Sequence, residues 1–369
     1  MSELKVDKVS PRSGTYVSLN TVGSKNIIIN GDMSIAQRST SVASITGSGY
    51  YTVDRHRLAI SSLGTWTMSQ DTDVPTGQGF ATSLKMDCTT ADAAPAASDV
   101  MWVQHRIEGQ NLQYIKKGTA NAESLTLSFW VKSNKTGTYI AELEDTDNSR
   151  HIAKSYTIDS SNTWEKKTIT FAGDTTGTLT NDNNTSLELH LYLGAGTNYT
   201  SGTLATSWAS TTDANKAVGQ VNLADSTANE WYITGVQLEA GTTASDFEFL
   251  PYDVNLRRCQ RYYQNVVRTE QDIPVCMASS WSTTTAYGIF PLYTTMRATP
   301  SLDQVTGSSY YRYYNAFDSS DYFDSFELFI GTPNIVNLRN ADSMTITSGQ
   351  SGWFVLLNAN AYLAFDAEL

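Results

Sequence analysis

The residues best suited to chemistry are aromatic and charged side chains that alternate with apolar ones along two short segments. Trp130 lies in SLTLSFWVK, and Glu188, His190 and Tyr192 lie in SLELHLYLG, all opposite the apolar positions of a period-two pattern. Sugar rings stack their CH faces on Trp and Tyr, while their hydroxyl groups bond to carboxylates and amides. These four residues therefore predict a ligand-binding face for a glycan. The alternative is that the face packs against another sheet or a second subunit.

A second concentration of aromatic residues lies in SSYYRYYN, which contains Tyr310, Tyr311, Tyr313 and Tyr314. Loops rich in Tyr, Ser and Asn make adaptable recognition surfaces, because Tyr offers a large contact area at low entropic cost. The segment therefore predicts a second ligand-binding surface. Aromatic residues are also enriched in subunit interfaces, so a contact within a trimer is the alternative.

Familiar catalytic patterns are missing from the sequence, which has no G-x-S-x-G motif and no cysteine in a protease-like context. His56 and His105 stand beside arginines in DRHR and QHR, which favours a solvated surface for both. Glu142 and Glu144 have the spacing of two that a glycosidase pair could have, but this spacing is more typical of a solvated strand face. We therefore expect a protein that is not an enzyme and has no catalytic residue.

Metal-binding patterns are also incomplete. The acidic run Glu142–Asn148 is similar to the start of a calcium loop. It does not satisfy the EF-hand pattern, because Arg150 stands where the loop needs Gly and Tyr156 where it needs the closing Glu. The sequence therefore predicts no metal site and no cofactor.

Composition limits the partners and the compartment. The 369-residue chain has a formal net charge of −12, which argues against binding to nucleic acid or anionic membranes, since both require clustered Lys and Arg. Three cysteines, an odd number without metal-ligand spacing, are typical of thiols in a reducing cytoplasm. There is no apolar run of membrane-spanning length, and the start MSELKVDKV lacks a secretory signal. If the protein acts outside cells, we expect its release by lysis.

Short strands separated by polar turns account for most of the chain. Four leucines, from Leu187 to Leu193, occur at a spacing of two, which only a half-buried strand explains. Turn-forming clusters such as NKTG and GDTTG separate segments of this kind. Aromatic residues reach 11% and charged residues only 17%, a mixture that suits β-sandwiches better than helical bundles. We predict an all-β fold: a jelly-roll β-sandwich followed by a second, smaller β-sandwich.

Several short motifs occur in a particular order along the chain. They are NGDM and IAQR near the start, then VQLEAG, CQRYY and MRATP, and finally AEL. In this order they resemble bacteriophage tail-fibre and virion-appendage proteins of the marine and cyanophage type. The resemblance implies a carbohydrate-binding-module-like jelly roll, a connector that carries CQRYY, and a C-terminal β domain.

The resemblance also implies a function. It is that of a structural virion protein, assembled in the host cytoplasm and released by lysis, which forms a homotrimeric tail fibre and contacts host-surface glycans. Its N-terminal segment would bind other virion proteins, without membrane insertion and without binding nucleic acid. Two alternatives remain open: a head-decorating fibre or other accessory capsid protein, and a glycan-degrading enzyme with an appended binding module.

The same resemblance sets the domain boundaries. The predicted parts are the virion-attachment segment 1–24, the jelly roll 25–250, the connector 251–271 and the C-terminal β-sandwich 272–369. In the jelly roll, NIIIN is expected to form a strand that ends at a turn over Asn30–Asp32. In the connector, helical periodicity with Asp253 as the N-cap predicts a short helix packed between the domains.

A structural calcium is a further implication of the resemblance. Carbohydrate-binding jelly rolls often hold this ion with acidic residues near the last strand. Here that strand reads WYITGVQLE, with Thr234 and Gly235 at the corresponding place. The departure leaves a structural calcium possible without favouring it.

Overall fold

A computed structural model describes residues 24–268, 271–315 and 320–369 of the chain. The predicted attachment segment, residues 1–24, lies outside the described residues except for Ser24. Strands account for 44% of the structure and helices for 7%, so the predicted all-β fold class is confirmed. Neither of the two α-helices in the described part of the chain is long and apolar enough to cross a bilayer.

The regular elements within the described residues fall into two groups. Those of the first domain are β1 Ser41–Ile45, β2 Gly49–Tyr50, β3 Arg57–Ser61, β4 Thr65–Asp71, β5 Ser83–Thr90, β6 Val100–Glu108, β7 Leu125–Ser133, β8 Gly137–Asp145, β9 Arg150–Ile158, β10 Glu165–Phe171, β11 Thr185–Ala195, α1 Thr197–Thr200, β12 Ala209–Ser210 and β13 Glu230–Ala240. Short 3-10 helices occupy Gly109–Asn111, Gln113–Ile115, Asp213–Asn215 and Leu223–Asp225. The connector and the C-terminal domain contain α2 Tyr252–Gln260, β14 Tyr263–Arg268, β15 Ile273–Ser280, β16 Ala286–Pro291, β17 Ser301–Gln304, β18 Tyr311–Asn315, β19 Asp321–Phe323, β20 Phe326–Gly331, β21 Ile335–Asn340, β22 Ser351–Leu356 and β23 Tyr362–Asp366.

Two antiparallel sheets form the first domain. One has the strand order β1-β4-β5-β13-β7-β10 and the other has the order β12-β9-β8-β11-β6-β3-β2. Side chains from the inner faces of both sheets fill the space between them, as in other sandwiches. Leu127 and Phe129 of β7 share this core with Leu189 and Leu191 of β11. The alternation of apolar residues predicted for β7 and β11 is therefore confirmed.

The outer face of β11 differs from the prediction of a half-buried strand. Glu188, His190 and Tyr192 do not contribute to the main core, yet they are buried as well. Residues 196–222, between β11 and β13, pack over this face, and Ala217 joins Tyr192 in a small second cluster. Alternation in a sequence indicates which residues face the core, but it does not indicate what covers the opposite face.

The apolar stretch NIIIN does not form the predicted strand, because the side chain of Asn26 makes the bonds that a strand ladder would make. Its Oδ1 accepts the N–H groups of Ile28 (3.0 Å) and Leu238 (3.1 Å). Its Nδ2 donates to the carbonyl of Val236 at 3.0 Å. Ile28 then enters the main core, whereas Ile29 enters a separate cluster at the domain boundary.

The C-terminal domain is a smaller sandwich. A three-stranded sheet, β14-β23-β17, packs on a seven-stranded sheet, β19-β18-β22-β15-β16-β21-β20. Tyr311 and Phe354 of the larger sheet lie in one core with Leu363 and Phe365 of the smaller sheet. Strand β14 lies within the predicted connector, so this end of the connector belongs to the C-terminal domain.

Helix α2 occupies the rest of the connector. Its N-cap is Pro251 rather than the predicted Asp253, which lies in the first turn. At the other end of the helix, Cys259 is fully buried and packs with Tyr262 against Ile29 of the first domain. This small cluster lies between the cores of the two domains, which are separate from each other.

A network of buried and half-buried charges connects the domains; we call it the interdomain joint, and its members are Arg38, Arg55, Glu108, Arg261 and Glu368. One carboxylate oxygen of Glu368 pairs with Arg55, and the other lies 3.3 Å from Arg38 Nη1. Arg55 is fully buried, so water cannot compensate its charge. Burial opposes that charge, but Glu368 raises the pKa of Arg55 above its ordinary value, so the pair stays ionised.

The second half of the joint surrounds Glu108, at the end of β6. Arg261 donates to both oxygens of this carboxylate, from Nε at 2.8 Å and from Nη2 at 2.7 Å. Tyr262 donates to the same carboxylate, and its ring centroid lies 3.5 Å from Cζ of Arg55. Bidentate ion pairs determine orientation as well as energy. The joint therefore holds the two domains in one relative orientation.

The motifs on which the resemblance depends meet at this joint. IAQR contributes Arg38, CQRYY contributes Arg261, and AEL contributes Glu368. Arg297 of MRATP donates to the carbonyl of Asn183 in the first domain (3.1 Å) and to the carbonyl of Glu368 (3.0 Å). Segments far apart in sequence thus converge because each contributes a charged group to one interface.

Removal of Glu368 should weaken the whole molecule. We predict that E368A lowers the free energy of unfolding by about 3 to 5 kcal/mol, because it leaves Arg55 buried without a counter-charge. Denaturant unfolding followed by tryptophan fluorescence measures this change. The matched control is E327A, since Glu327 pairs with Arg339 at an exposed site, where the loss should stay below about 1 kcal/mol. Equal losses in the two variants would contradict the role of the joint.

Candidate functional site

His190 is the centre of a buried network on the outer face of β11. Its Nδ1 lies 2.9 Å from Oε2 of Glu142, and its Nε2 lies 2.8 Å from Oε2 of Glu188. Tyr192 donates to Oε2 of Glu142 at 2.8 Å, and Nδ1 of His151 lies 2.7 Å from Oε1 of the same residue. The structure therefore brings Glu188, His190 and Tyr192 together, as members of a network in which the ring nitrogens of His190 and the carboxylate oxygens of Glu142 find partners inside the protein.

The electrostatics of this network favour a charged imidazole. Both ring nitrogens of His190 face carboxylates, and both can donate only when the ring carries two protons. Burial alone would lower the pKa of His190, but Glu142 and Glu188 raise it to about 9. Burial also opposes charge on Glu142, yet bonds from His151 and His190 lower its pKa to about 2. The network is therefore ionised at neutral pH, and its charges compensate one another.

Three members of this region are close enough to one another to suggest a metal site. Glu142, Glu144 and His190 offer ligand atoms that lie within 4.8 Å of one another. However, Glu144 lies 3.3 Å from Nζ of Lys216, and His190 faces a carboxylate at each ring nitrogen. A metal-bound histidine needs a free lone pair, which a doubly protonated ring lacks. The arrangement fits an internal ion-pair network better than a metal site.

Trp130 lies on the other sheet of the first domain and does not approach His190. It is on β7, where it is paired with Lys166 of β10 and Thr234 of β13. The two sheets pack face to face, so their outer faces lie on opposite sides of the sandwich. The first-domain residues predicted to bind a glycan are thus divided between two surfaces.

The tyrosine-rich segment is a strand, β18, rather than the predicted loop. Tyr311 and Tyr313 extend into the core and are fully buried. Tyr310 precedes the strand and is half-buried, while Tyr314 is exposed on the outer face of the sheet. Both faces of YYRYYN carry tyrosines, so polarity along the segment could not indicate which of them would lie inside.

The outer face of the larger C-terminal sheet carries a row of large apolar side chains. Tyr314 is opposite Trp353 on β22, with ring centroids 4.9 Å apart. Trp353 is in turn opposite Met277 on β15, whose side chain is 69% exposed. Contiguous apolar surface on a soluble protein indicates a site of interaction.

On the same face lies a concave site of about 700 Å³, which we call the aromatic cleft; its lining includes Ser279, Trp281, Tyr287, Ile289, Phe329 and Asn337. The ring of Tyr287 lies 6.5 Å from that of Trp281 at 90° and 5.1 Å from that of Phe329 at 63°. The residues that line the cleft carry no charge. Uncharged aromatic walls with a few polar groups are typical of ligand sites.

The sequence patterns did not reveal the aromatic cleft. The available signal was the segment AYGIFP, which becomes β16, where Tyr287 and Ile289 alternate with Ala286, Gly288 and Phe290. Every position in this alternation is apolar or aromatic. A pattern of that kind does not separate a core face from a surface face.

A second cavity, of about 500 Å³, lies beside the interdomain joint. Three arginines line it, and two of them are paired, Arg261 with Glu108 and Arg106 with Glu188. The third, Arg258, donates to a backbone carbonyl at 3.2 Å. Because its cations bond within the protein, we assign this cavity to the joint.

The prediction that His56 and His105 lie on a solvated surface is wrong. Both are buried beside the joint, with ring centroids 5.3 Å apart. Burial lowers the pKa of His56 to about 4, and burial together with the charge of Arg55 lowers the pKa of His105 well below 6.5. Glu142, expected on a solvated strand face, is also fully buried. The arginines next to His56 and His105 are charged, as the sequence suggests. Partners inside the protein, and not water, compensate those charges.

Comparisons with known proteins add little beyond the fold. There is no matching protein-family model and no matching curated protein. Similar solved structures include an enzymatically active domain of tailspike protein 4 of bacteriophage CBA120 (14% identity, 58% of this chain, 21% of that chain, TM-score 0.31) and a putative sugar binding protein of Bacteroides thetaiotaomicron (12% identity, 58% and 99%, TM-score 0.31). A family 11 carbohydrate-binding module of a Clostridium thermocellum cellulase is another (10% identity, 60% and 99%, TM-score 0.28). The chain spans about a fifth of the tailspike domain, and at these low TM-scores the likenesses carry no argument about function.

The ionised network around His190 makes a pH-dependent contribution to stability. Its folded pKa of about 9 lies above the unfolded value of 6.5, so the contribution is complete below pH 6.5 and is lost as the pH rises through 9. We predict that H190Q lowers the free energy of unfolding by about 3 kcal/mol at pH 6, because Glu142 and Glu188 lose their buried cation. Urea unfolding of both proteins at pH 6 and pH 9.5 should show a much smaller difference at the higher pH.

The control for this experiment is H105Q. His105 is buried as a neutral ring whose pKa lies well below 6.5, so at pH 6 only the unfolded chain gains a proton there. The effect of H105Q should therefore be smaller at pH 6 than at pH 9.5, by less than about 1 kcal/mol, which is opposite in direction to the change expected for H190Q. An H190Q effect that does not change between pH 6 and pH 9.5 would contradict the charged state of His190.

The division of the tyrosines between core and surface can be tested with single hydroxyl groups. Tyr311 Oη donates to the carbonyl of Val305 (2.7 Å) and lies 3.0 Å from that of Tyr362. We predict that Y311F costs about 1 to 2 kcal/mol of unfolding free energy, since a buried acceptor loses its donor. The surface variant Y314F should change it by less than about 0.5 kcal/mol. Thermal or urea unfolding distinguishes the two, and equal effects would rule out this placement.

Proposed function

We propose that this chain is a non-enzymatic structural protein of a bacteriophage particle, a tail fibre that forms homotrimers and contacts host-surface glycans. The order of motifs that resembles virion-appendage proteins supports this proposal. In this proposal, the N-terminal segment 1–24 binds other virion proteins, and the protein neither enters a membrane nor binds nucleic acid. Assembly takes place in the host cytoplasm, and lysis releases the particle.

The observation that carries the proposal is the interdomain joint. Enzymes that close over a substrate need domains or lids that move, whereas a fibre subunit has to keep its domains in one orientation. Opening the joint would separate Glu368 from Arg38 and Arg55, two buried arginines. Uncompensated buried charges cost several kcal/mol, so the two β domains behave as one stiff unit. Such a unit suits a mechanical role on a particle.

The state of the acidic residues supports a non-enzymatic role. A general acid must hold a proton near neutral pH, which requires a carboxyl group with a raised pKa. Glu142 has a pKa lowered to about 2 by His151 and His190, against the effect of burial. Its neighbour Glu144 bonds to Lys216. This pair of carboxylates is therefore suited to structure rather than to glycoside hydrolysis.

A second candidate is a head-decorating fibre or another accessory capsid protein. The same motifs and the same stiff pair of domains support it, and the two candidates differ in their place on the particle. Immunogold labelling of purified particles with an antibody against this chain separates them. We expect label at the tail; label on the capsid would favour the second candidate, and unlabelled particles would contradict both.

Self-association and the lack of activity can be tested on the purified full chain. Light scattering should give three times the monomer mass of 40.5 kDa; a monomer at all concentrations would contradict the trimer. Incubation with host polysaccharide should release no reducing ends, with an active depolymerase as the positive control. Release of reducing ends by this chain would overturn the non-enzymatic role.

A further inference from the structure

We propose that the aromatic cleft binds a neutral oligosaccharide, with Trp281, Tyr287 and Phe329 stacking on sugar rings and Asn337 bonding a hydroxyl group. The inference rests on the proposed function for its biological role, and it assigns the glycan contact to the C-terminal domain. Four features of the cleft carry it: the exposed ring of Trp281, the orientation of the other two rings, the lack of charge and the state of Asn337.

Trp281 presents an exposed ring on a fixed backbone. Its side chain is 78% exposed, so the ring contributes little to the core. The backbone of Trp281 is nevertheless well bonded. Its backbone N–H donates to the carbonyl of Thr285 at 2.9 Å, and its backbone carbonyl accepts from Oγ of Ser348 at 3.1 Å. A recognition group on a fixed backbone loses only its side-chain freedom on binding.

The other two rings extend the stacking surface in different planes. The ring plane of Tyr287 is perpendicular to that of Trp281 and inclined by 63° to that of Phe329. Arg339 lies 5.0 Å from the ring centroid of Phe329, which restricts the movement of that ring. Rings in nearly perpendicular planes can contact successive sugars of a bent oligosaccharide, whose CH faces also point in different directions.

The charges around the cleft select a neutral ligand. The lining has no charged residue, and the neighbouring Arg339 donates from Nε to Oε2 of Glu327 at 2.9 Å and from Nη2 to Oε1 at 2.8 Å. Arg339, the cation that contacts Phe329 of the cleft, is therefore already paired and is a poor partner for a carboxylate or sulfate group. Transfer of an unpaired anion into an aromatic cleft is costly, so neutral hexoses should bind and uronate-rich glycans should not.

Asn337 offers the polar contact. It lies on β21 among the residues that line the cleft, and no donor from the described residues reaches its Oδ1. Buried amide oxygens nearly always have a partner, and one without a donor costs free energy. The amide is thus not locked by the protein and can turn to accept from a sugar hydroxyl group, while the exposed Ser279 adds a second hydroxyl contact at the edge.

The experiment uses the full chain on an array of neutral hexose oligosaccharides and uronate-containing oligosaccharides, followed by titration calorimetry with the neutral probe that binds best. We expect neutral probes to bind, with an affinity at least ten-fold lower for W281A and for F329A. W281F keeps an aromatic face and should bind more tightly than W281A. The matched control is Y322A, since Tyr322 is an exposed aromatic residue on β19, at the other edge of the same sheet; its affinity should stay within two-fold of the unchanged chain.

Each other result would overturn the inference in a recognisable way. Glycan binding that is unaffected by W281A and F329A would exclude the cleft as the binding site. The proposed function would stand in that case, with glycan contact through another surface. Binding of uronate probes alone, or of no probe, would exclude a neutral saccharide site. If W281A instead abolishes self-association measured by light scattering and no glycan binds, the cleft is a contact between copies of the chain.

Discussion

The constraint on which the architecture depends is the need to compensate the charge of Glu368 away from water. Its partners Arg38 and Arg55 belong to the first domain, whereas Glu368 follows the last strand of the second. Neither domain can therefore bury its own part of the network without the other. Aromatic rings from CQRYY lie against both guanidinium groups, which adds cation–π contact to the ion pairs. Two independent apolar cores thus become one mechanical unit through a polar interface.

Buried charge has a second role in the first domain, where it closes a surface instead of joining domains. His190 compensates Glu142 and Glu188, and residues 196–222 cover the result. A face that resembles a sugar-binding surface by residue type thus has its polar groups bonded internally. The C-terminal domain is the opposite case, because Trp281 and Met277 are exposed apolar groups with no covering segment in the described part of the chain. The aromatic and charged face of β11 is thus covered, whereas the exposed rings around Trp281 are not.

The sequence predicted the strands well where one face is apolar and the other polar, as in β7 and β11. It predicted less well where both faces have the same character, as in YYRYYN and AYGIFP. The motifs IAQR, CQRYY, MRATP and AEL stand out in the sequence, but their role in an interdomain joint requires Arg38 and Glu368 to be neighbours across 330 residues. The strand expected at NIIIN was wrong because the amide of Asn26 replaced a ladder of backbone bonds.

The sequence alone determined the all-β class and the alternation that defines the core of the first sandwich, because these follow from local periodicity and turn chemistry. Only the tertiary structure decided that Glu188, His190 and Tyr192 are covered, that Tyr311 and Tyr313 lie inside, and that the exposed rings cluster around Trp281. The physical reason is that a strand's outer face is buried only if another part of the chain packs against it. In the same way, a buried charge is compensated only if another part of the chain supplies the opposite charge. Such contacts join residues distant in sequence and leave no period in the sequence that encodes them.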